Sequence, residues 1–191
     1  MDRRDQITDV AIATLAREGM RGLTHRAVDR AAGLPEGSCS YYFRTRQALL
    51  AATVERLAAL DTDELAPVTP VPARIDAERL AALMAGMAER AVTVNRDRML
   101  ARYELSLEAT RRPELRAALV AVGERYRELA AALLAAAGAT DPERQGRALV
   151  AFLDGMIFDR LAGAGRVPLA GADFRRSFAE ALRGVLDAPA G

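Results

Sequence analysis

The 191-residue chain holds 41 Ala and 24 Leu against 16 Ile and Val together and no Trp, a balance that favours helix over sheet, and its 51% apolar and 28% charged residues exclude a disordered polymer. All 27 basic residues are Arg, offset by 26 acids, so the formal net charge of +1 excludes a generally polybasic protein but leaves room for a local basic face. One cysteine, Cys39, and one histidine, His25, exclude an internal disulfide, a multi-cysteine metal site and histidine relay chemistry.

The N-terminus is charged and runs into an amphipathic segment instead of an apolar h-region, so it does not read as a signal peptide, and a cytoplasmic protein is expected. Ile7, Val10, Ala11, Thr14 and Leu15 fall on one helical face and predict a first helix over Arg3 to Glu18, stopped by Gly19. Thr24 offers a cap for a short second helix whose inward stripe is Ala27, Val28, Ala31 and Ala32 and which Gly33 closes. Another short segment, Ser38 to Phe43, follows Leu34-Pro35-Glu36-Gly37, and Thr45 caps a fourth helix reaching about Asp63. Two short helices joined by a Gly-centred turn read as a helix-turn-helix.

Three prolines between Ala66 and Pro72 mark a loop near a domain boundary. Beyond it five helices are predicted over Asp76 to Val94, Asp97 to Thr110, Pro113 to Ala137, Pro142 to Ala162 and Asp173 to Leu186, with Pro113 and Pro142 at N1 positions and Gly138 and Gly163 as C-caps. The expectation is an all-α chain of about nine helices without a 20- to 50-residue repeat. The longest apolar or small run, Leu129 to Ala139, is too short for a bilayer, which needs about 20 residues, so no membrane helix is expected.

The stretch from Leu23 to Leu49, LTHRAVDRAAGLPEGSCSYYFRTRQAL, resembles the TetR family of transcriptional regulators. The likeness covers roughly residues 5 to 55: a capping Thr, an Ala-Gly end to the second helix, a Gly before the recognition helix, an aromatic-rich end to that helix and a basic residue just inside the fourth. It implies a three-helix DNA-binding domain over residues 1–48 and an effector-binding and dimerisation domain over 49–191. Independently of the name, a short helix with small residues at its start (Gly37, Ser38, Ser40) suits the major groove. Charge is segregated as well: residues 21–46 carry five Arg against Asp29 and Glu36, whereas residues 51–191 carry 19 Arg and 20 acids.

By position, the resemblance implies that Arg26 reads a base, with guanine O6 and N7 the expected partners, and that Glu36, Gly37 and Ser40 face bases. It aligns Thr24, Ser38, Tyr41, Tyr42 and Arg46 with phosphate-binding positions. Ser40 stands where the family usually has Tyr, Tyr42 where it has His, and Asp29 where a small Ala is common, so the operator cannot be borrowed from a relative. His25 is expected as an exposed first-turn residue, Cys39 as a small core group, and Asp29 as a cap or bonding partner of the recognition helix.

In the regulatory half the resemblance implies a sensing cavity and a two-fold dimer built on the last two helices. Gly155, Met156, Phe158, Leu161, Phe174, Phe178 and Leu182 are its expected dimerisation surface, Gly155 permitting close approach. Leu100, Tyr103, Glu104 and Leu107 share a helical face expected to look inward, where Glu104 needs a partner such as Arg102, Arg98 or a cationic or hydroxylated effector. Met84, Met87, Arg102, Tyr103, Glu104, Leu107, Tyr126, Phe152 and Asp154 are the candidate effector residues, with an ordinary core and internal salt bridge as the competing reading.

The expected protein is therefore a homodimeric repressor released from a palindromic operator in double-stranded DNA by a small-molecule effector, with no cofactor or metal. An effector-independent activator or global DNA-binding protein shares the same head. Catalysis is disfavoured, because the sole His and Cys lie inside the DNA-binding motif and no Gly-rich phosphate loop is present.

Overall fold

A computed structural model describes residues 2–163 and 171–186, and among them every regular element is helical. The helices are α1 (Arg3–Gly22), α2 (His25–Ala32), α3 (Ser38–Tyr42), α4 (Arg46–Leu65), α5 (Ala77–Val92), α6 (Arg96–Ala109), α7 (Pro113–Ala136), α8 (Pro142–Leu161) and α9 (Gly171–Leu186), with a 3-10 turn at Ala66–Val68. The nine expected helices are present with ends displaced by one to a few residues, as fraying termini and capping choices allow. Gly163 is described, but the residues between it and α9 lie outside the described set.

Local chemistry sets the boundaries. Thr24, Thr45, Asp76 and Asp141 each accept a hydrogen bond from the backbone N–H three residues on, meeting one of the four donors a helix start leaves unpaired. Pro142 occupies the first turn of α8, where its missing N–H costs nothing. One boundary differs: α1 does not stop at Gly19 but breaks there (φ 66°, ψ −173°) and adds a last turn through Gly22. The break removes the helical partner of the Met20 N–H, and a side chain from elsewhere in the chain replaces it, as described below.

The chain forms two compact units. The first comprises residues 1–67 and 97–122, so α4 and most of α6 pack with the three N-terminal helices. Its core joins Ile7, Leu15, Val28, Cys39, Leu49 and Leu105, all inaccessible to solvent. Arg56 clasps α4 to α1 through a two-point pair with Asp9 (Nε–Oδ1 2.7 Å, Nη2–Oδ2 3.0 Å). Arg98 pairs with Glu64 at 3.5 Å and Arg102 with the buried Asp61, joining α6 to α4. The functional division expected after residue 48 is a separate matter from this compactness.

The second unit comprises residues 68–96 and 123–191, so α7 contributes to both. Here α9 packs along α5, and α8 packs on α5 and α9. Phe174, Phe178 and Leu182 recur at four-residue spacing on α9 and are fully buried, with Phe174 and Phe178 stacked at 6.4 Å. Gln145, also buried, donates to the Val185 carbonyl (2.6 Å) and accepts from the Asp141 N–H (3.1 Å), tying α8 to α9. A Cβ on Gly146 would lie 2.9 Å from the Ala131 backbone N, so glycine is what allows α8 to approach α7 this closely.

Candidate nucleic-acid interface and effector cleft

The recognition segment is short, and α3 could not hold itself as an isolated helix. Three devices fix it. Gly33 closes α2 in the left-handed conformation (φ 65°), and Gly37 opens α3 in the same region (φ 93°), where a side chain would be strained. The buried carboxylate of Asp29 accepts from the N–H groups of both Gly37 (2.8 Å) and Cys39 (2.7 Å), doing from α2 what an N-cap side chain would do locally. Cys39 and Phe43 then turn inward, and the His25 ring nitrogen meets the Phe43 carbonyl at 2.6 Å. His25 is thus half-buried and engaged, not simply exposed in the first turn as the sequence suggests.

With that face buried, the opposite one is presented outward. Arg26, Glu36, Gly37, Ser40 and Tyr41 are exposed, Tyr41 to 80%, while Ser38 and Tyr42 are half-buried and the Tyr41 and Tyr42 rings meet edge-on at 5.2 Å. Arg26 Nε pairs with Glu36 Oε1 at 2.8 Å, an ion pair in open solvent that contributes at most about 1 kcal/mol. Thr24 Oγ1 accepts from the Ala27 N–H (3.1 Å), which leaves its own proton to donate, whereas Ser38 Oγ donates to the Pro35 carbonyl (2.7 Å).

Arg46 is placed otherwise than expected. Its guanidinium is half-buried, with Nε donating to the Leu23 carbonyl (3.3 Å) and Nη2 to the Met20 carbonyl, so it ties α4 to the end of α1 instead of reaching outward. The basic residue inside the fourth helix was legible from sequence, but its acceptors, two carbonyls at the C-terminal end of α1, were not. Two outward arginines were missed: Arg44, exposed beside the end of α3, and Arg4, exposed and stacked 4.7 Å over the Phe43 ring. The Arg3-Arg4 pair at the start of the chain was the available signal.

Cys39 is inaccessible to solvent, and burial first, then the Asp29 carboxylate, pushes its thiol pKa from the ordinary 9.0 up to about 11. A folded-state pKa above the unfolded one stabilises the fold fully below pH 9.0, and that contribution is lost as pH rises through about 11. A disulfide reagent at pH 8 is therefore expected to label Cys39 slowly in the native protein and rapidly after unfolding. Immediate native labelling would contradict the packing described for α3.

In the second unit an apolar cleft, partly open to solvent, lies among three helices. Helix α5 supplies Leu80, Met84 and Met87, α7 supplies Tyr126, Leu129, Ala130 and Leu133, and α8 supplies Leu149, Val150 and Leu153. Three of the nine expected effector residues, Met84, Met87 and Tyr126, line it.

The others do not. Arg102, Tyr103, Glu104 and Leu107 belong to the first unit, where the buried residues of α6 are Met99, Ala101, Leu105 and Ala109, and Leu107 is 62% exposed. The inward face is rotated from the one expected, with Met99, Ala101, Leu105 and Ala109 turned to the core. Glu104 finds its partner in the backbone: Oε2 accepts from the Met20 N–H at 3.1 Å, the donor left by the break at Gly19. Asp154 is exposed on α8, and Phe152 is 40% exposed while meeting Phe178 edge-on at 5.8 Å.

The expected dimerisation surface also divides. Phe174, Phe178 and Leu182 are core residues of the second unit and present nothing outward. Gly155 and Phe158 are exposed on α8, Met156 and Leu161 are half-buried, and a Cβ on Gly155 would meet open space. Among the described residues no helix is long and apolar enough to cross a membrane.

Two family models match. Residues 7–53 match the one described as "Bacterial regulatory proteins, tetR family", and residues 75–188 match "Tetracyclin repressor-like, C-terminal domain". The HTH-type transcriptional regulator BetI of Rhizobium meliloti (strain 1021) is 29% identical over 155 residues, 81% of this chain and 75% of that one. The multidrug binding protein EbrR, solved with ethidium, is 31% identical with a TM-score of 0.67, covering 94% of this chain and 98% of that one. A transcriptional regulator from Rhodococcus sp. Rha1 shares the fold at 18% identity, with a TM-score of 0.79 over 97% and 96% of the two chains.

Proposed function

The chain belongs to the tetR family of bacterial regulatory proteins and is a DNA-binding transcriptional regulator, and from that premise we propose that it is a cytoplasmic homodimeric repressor, released from a palindromic operator by a small molecule in the α5–α7–α8 cleft. The observation that carries the DNA half is the outward set Arg26, Glu36, Ser40 and Tyr41 on a recognition helix fixed from behind by Asp29. In the groove, Glu36 holding Arg26 by Nε leaves both Nη groups for guanine O6 and N7. Thr24, Ser38, Tyr41, Tyr42 and the exposed Arg44 serve phosphates, while Arg46 acts as a positioning residue.

Dimerisation is assigned to the outward side of α8, where Ala151, Phe152, Gly155 and Phe158 leave apolar surface at helical spacing. A two-fold dimer places half-site centres about 34 Å apart or at a multiple of that spacing. The open cleft favours a sensing protein over an effector-independent one, and EbrR, a relative with a bound drug, supports the same reading. An effector must bind the released conformer better than the DNA-bound one, since equal affinity shifts nothing.

Selection of bound sites from random DNA should return a palindrome. On that site Arg26→Ala is expected to lose about 1–3 kcal/mol of discrimination at one base pair of each half-site while binding to unrelated DNA changes little. A uniform loss on every sequence would instead make Arg26 a phosphate contact, and an unchanged site preference would remove the base-reading role.

A further inference from the structure

We propose that the cleft accepts an uncharged, largely apolar ring or chain molecule and discriminates against permanent cations. This rests on the cleft being the effector site, as proposed above, and adds the chemistry of what enters it. Among the described residues no lining side chain is an Asp, Glu, Arg or His, and Tyr126 is the one with an oxygen or nitrogen atom. The carboxylate that the sequence offered for a cationic effector, Glu104, is in the other compact unit and spends an oxygen on the Met20 N–H. Asp154, the other acidic candidate, is exposed on α8 and is absent from the lining.

A cation entering this cleft would surrender its water without receiving a counter-charge, which is strongly unfavourable, whereas an apolar ring gains from leaving water. Met84 and Met87 add unbranched, polarisable side chains that adapt to a flat or bent ring, and Leu133 and Leu149 close the buried side. The expected preference therefore runs opposite to what a cationic drug such as the ethidium held by EbrR would require.

The test uses two probes of nearly equal shape, 6-phenylphenanthridine, uncharged at neutral pH, and its N-methyl phenanthridinium cation, titrated calorimetrically into the full-length protein. The uncharged probe is expected to bind at least about tenfold more tightly. Ala130→Trp, which fills the cleft, should abolish that binding, and Met87→Glu, at a half-buried lining position that tolerates a charge, should move the preference toward the cation. Equal or tighter binding of the cation that Ala130→Trp removes would overturn the inference and leave the cleft as the effector site. Binding of neither probe, or binding that survives both substitutions, would overturn the assignment of the cleft itself and the inference with it.

Discussion

Phe178→Ala should destabilise the protein by about 3–5 kcal/mol, and by the same amount in dilute and concentrated solution. The side chain is fully buried, stacked on Phe174 and touched edge-on by Phe152, in the seam where α9 lies along α5. Truncation removes a large apolar surface and leaves a space that neighbouring helices cannot fill without moving. A loss of this size is a large share of the roughly 5–15 kcal/mol that stabilises a typical domain. Denaturant unfolding followed by circular dichroism measures it, since the chain has no Trp. Phe158→Arg should behave oppositely: at 45% exposure within the chain it supports little of the monomer's fold, so helicity should persist while light scattering reports dissociation. A Phe178→Ala protein with unchanged unfolding midpoint but altered mass would return Phe178 to the dimer interface.

Asp29→Ala should cost about 2–4 kcal/mol and abolish operator binding. It removes the acceptor for two backbone donors at once; the Gly37 N–H can turn to water, but the Cys39 N–H is buried and would be left unpaired, a penalty of about 1–3 kcal/mol. Loss of an N-terminal helix cap adds about 1 kcal/mol. Because α3 has few residues and little hydrogen bonding of its own, this loss falls on the element that must enter the groove, and DNA affinity should fall by more than global stability does. Asp29→Asn is the graded control: its amide keeps one acceptor but faces the other N–H with a donor, so an intermediate loss is expected. Unchanged operator affinity in Asp29→Ala, measured by fluorescence anisotropy on the selected palindrome, would refute this account.

These two positions show how legible the chain was. Asp29 stood out only as a departure from a small residue usual in the family, with a cap or a bond to the recognition helix as the expected role; that it reaches from α2 to two N–H groups of the α3 start came from the structure. Phe178 was legible as apolar but not as internal: the 174, 178, 182 spacing predicts a helical face and is silent on whether that face meets α5 or a second copy. Met84, Met87 and Tyr126, read as facing one cavity between the middle helices, do line the cleft, Met being suited to an adaptable apolar wall. A carboxylate on an apolar stripe calls for a donor, which left Glu104 open between an effector and an internal partner; its bond to a backbone N–H 84 residues earlier was not legible, because such a donor leaves no side-chain signature.

The sequence by itself determined the helices, since Ala and Leu content, capping residues and prolines act over a few residues. It determined the helix-turn-helix for the same reason, the motif being one continuous stretch whose turn requires Gly37. What only the tertiary structure decided are pairings between distant segments: Arg46 and Glu104 converging on the end of α1, α6 burying the face of Met99, Ala101, Leu105 and Ala109, and α9 spending its aromatic face on α5. Helical periodicity fixes which residues share a face, but the partner of that face depends on a packing choice made across the whole chain.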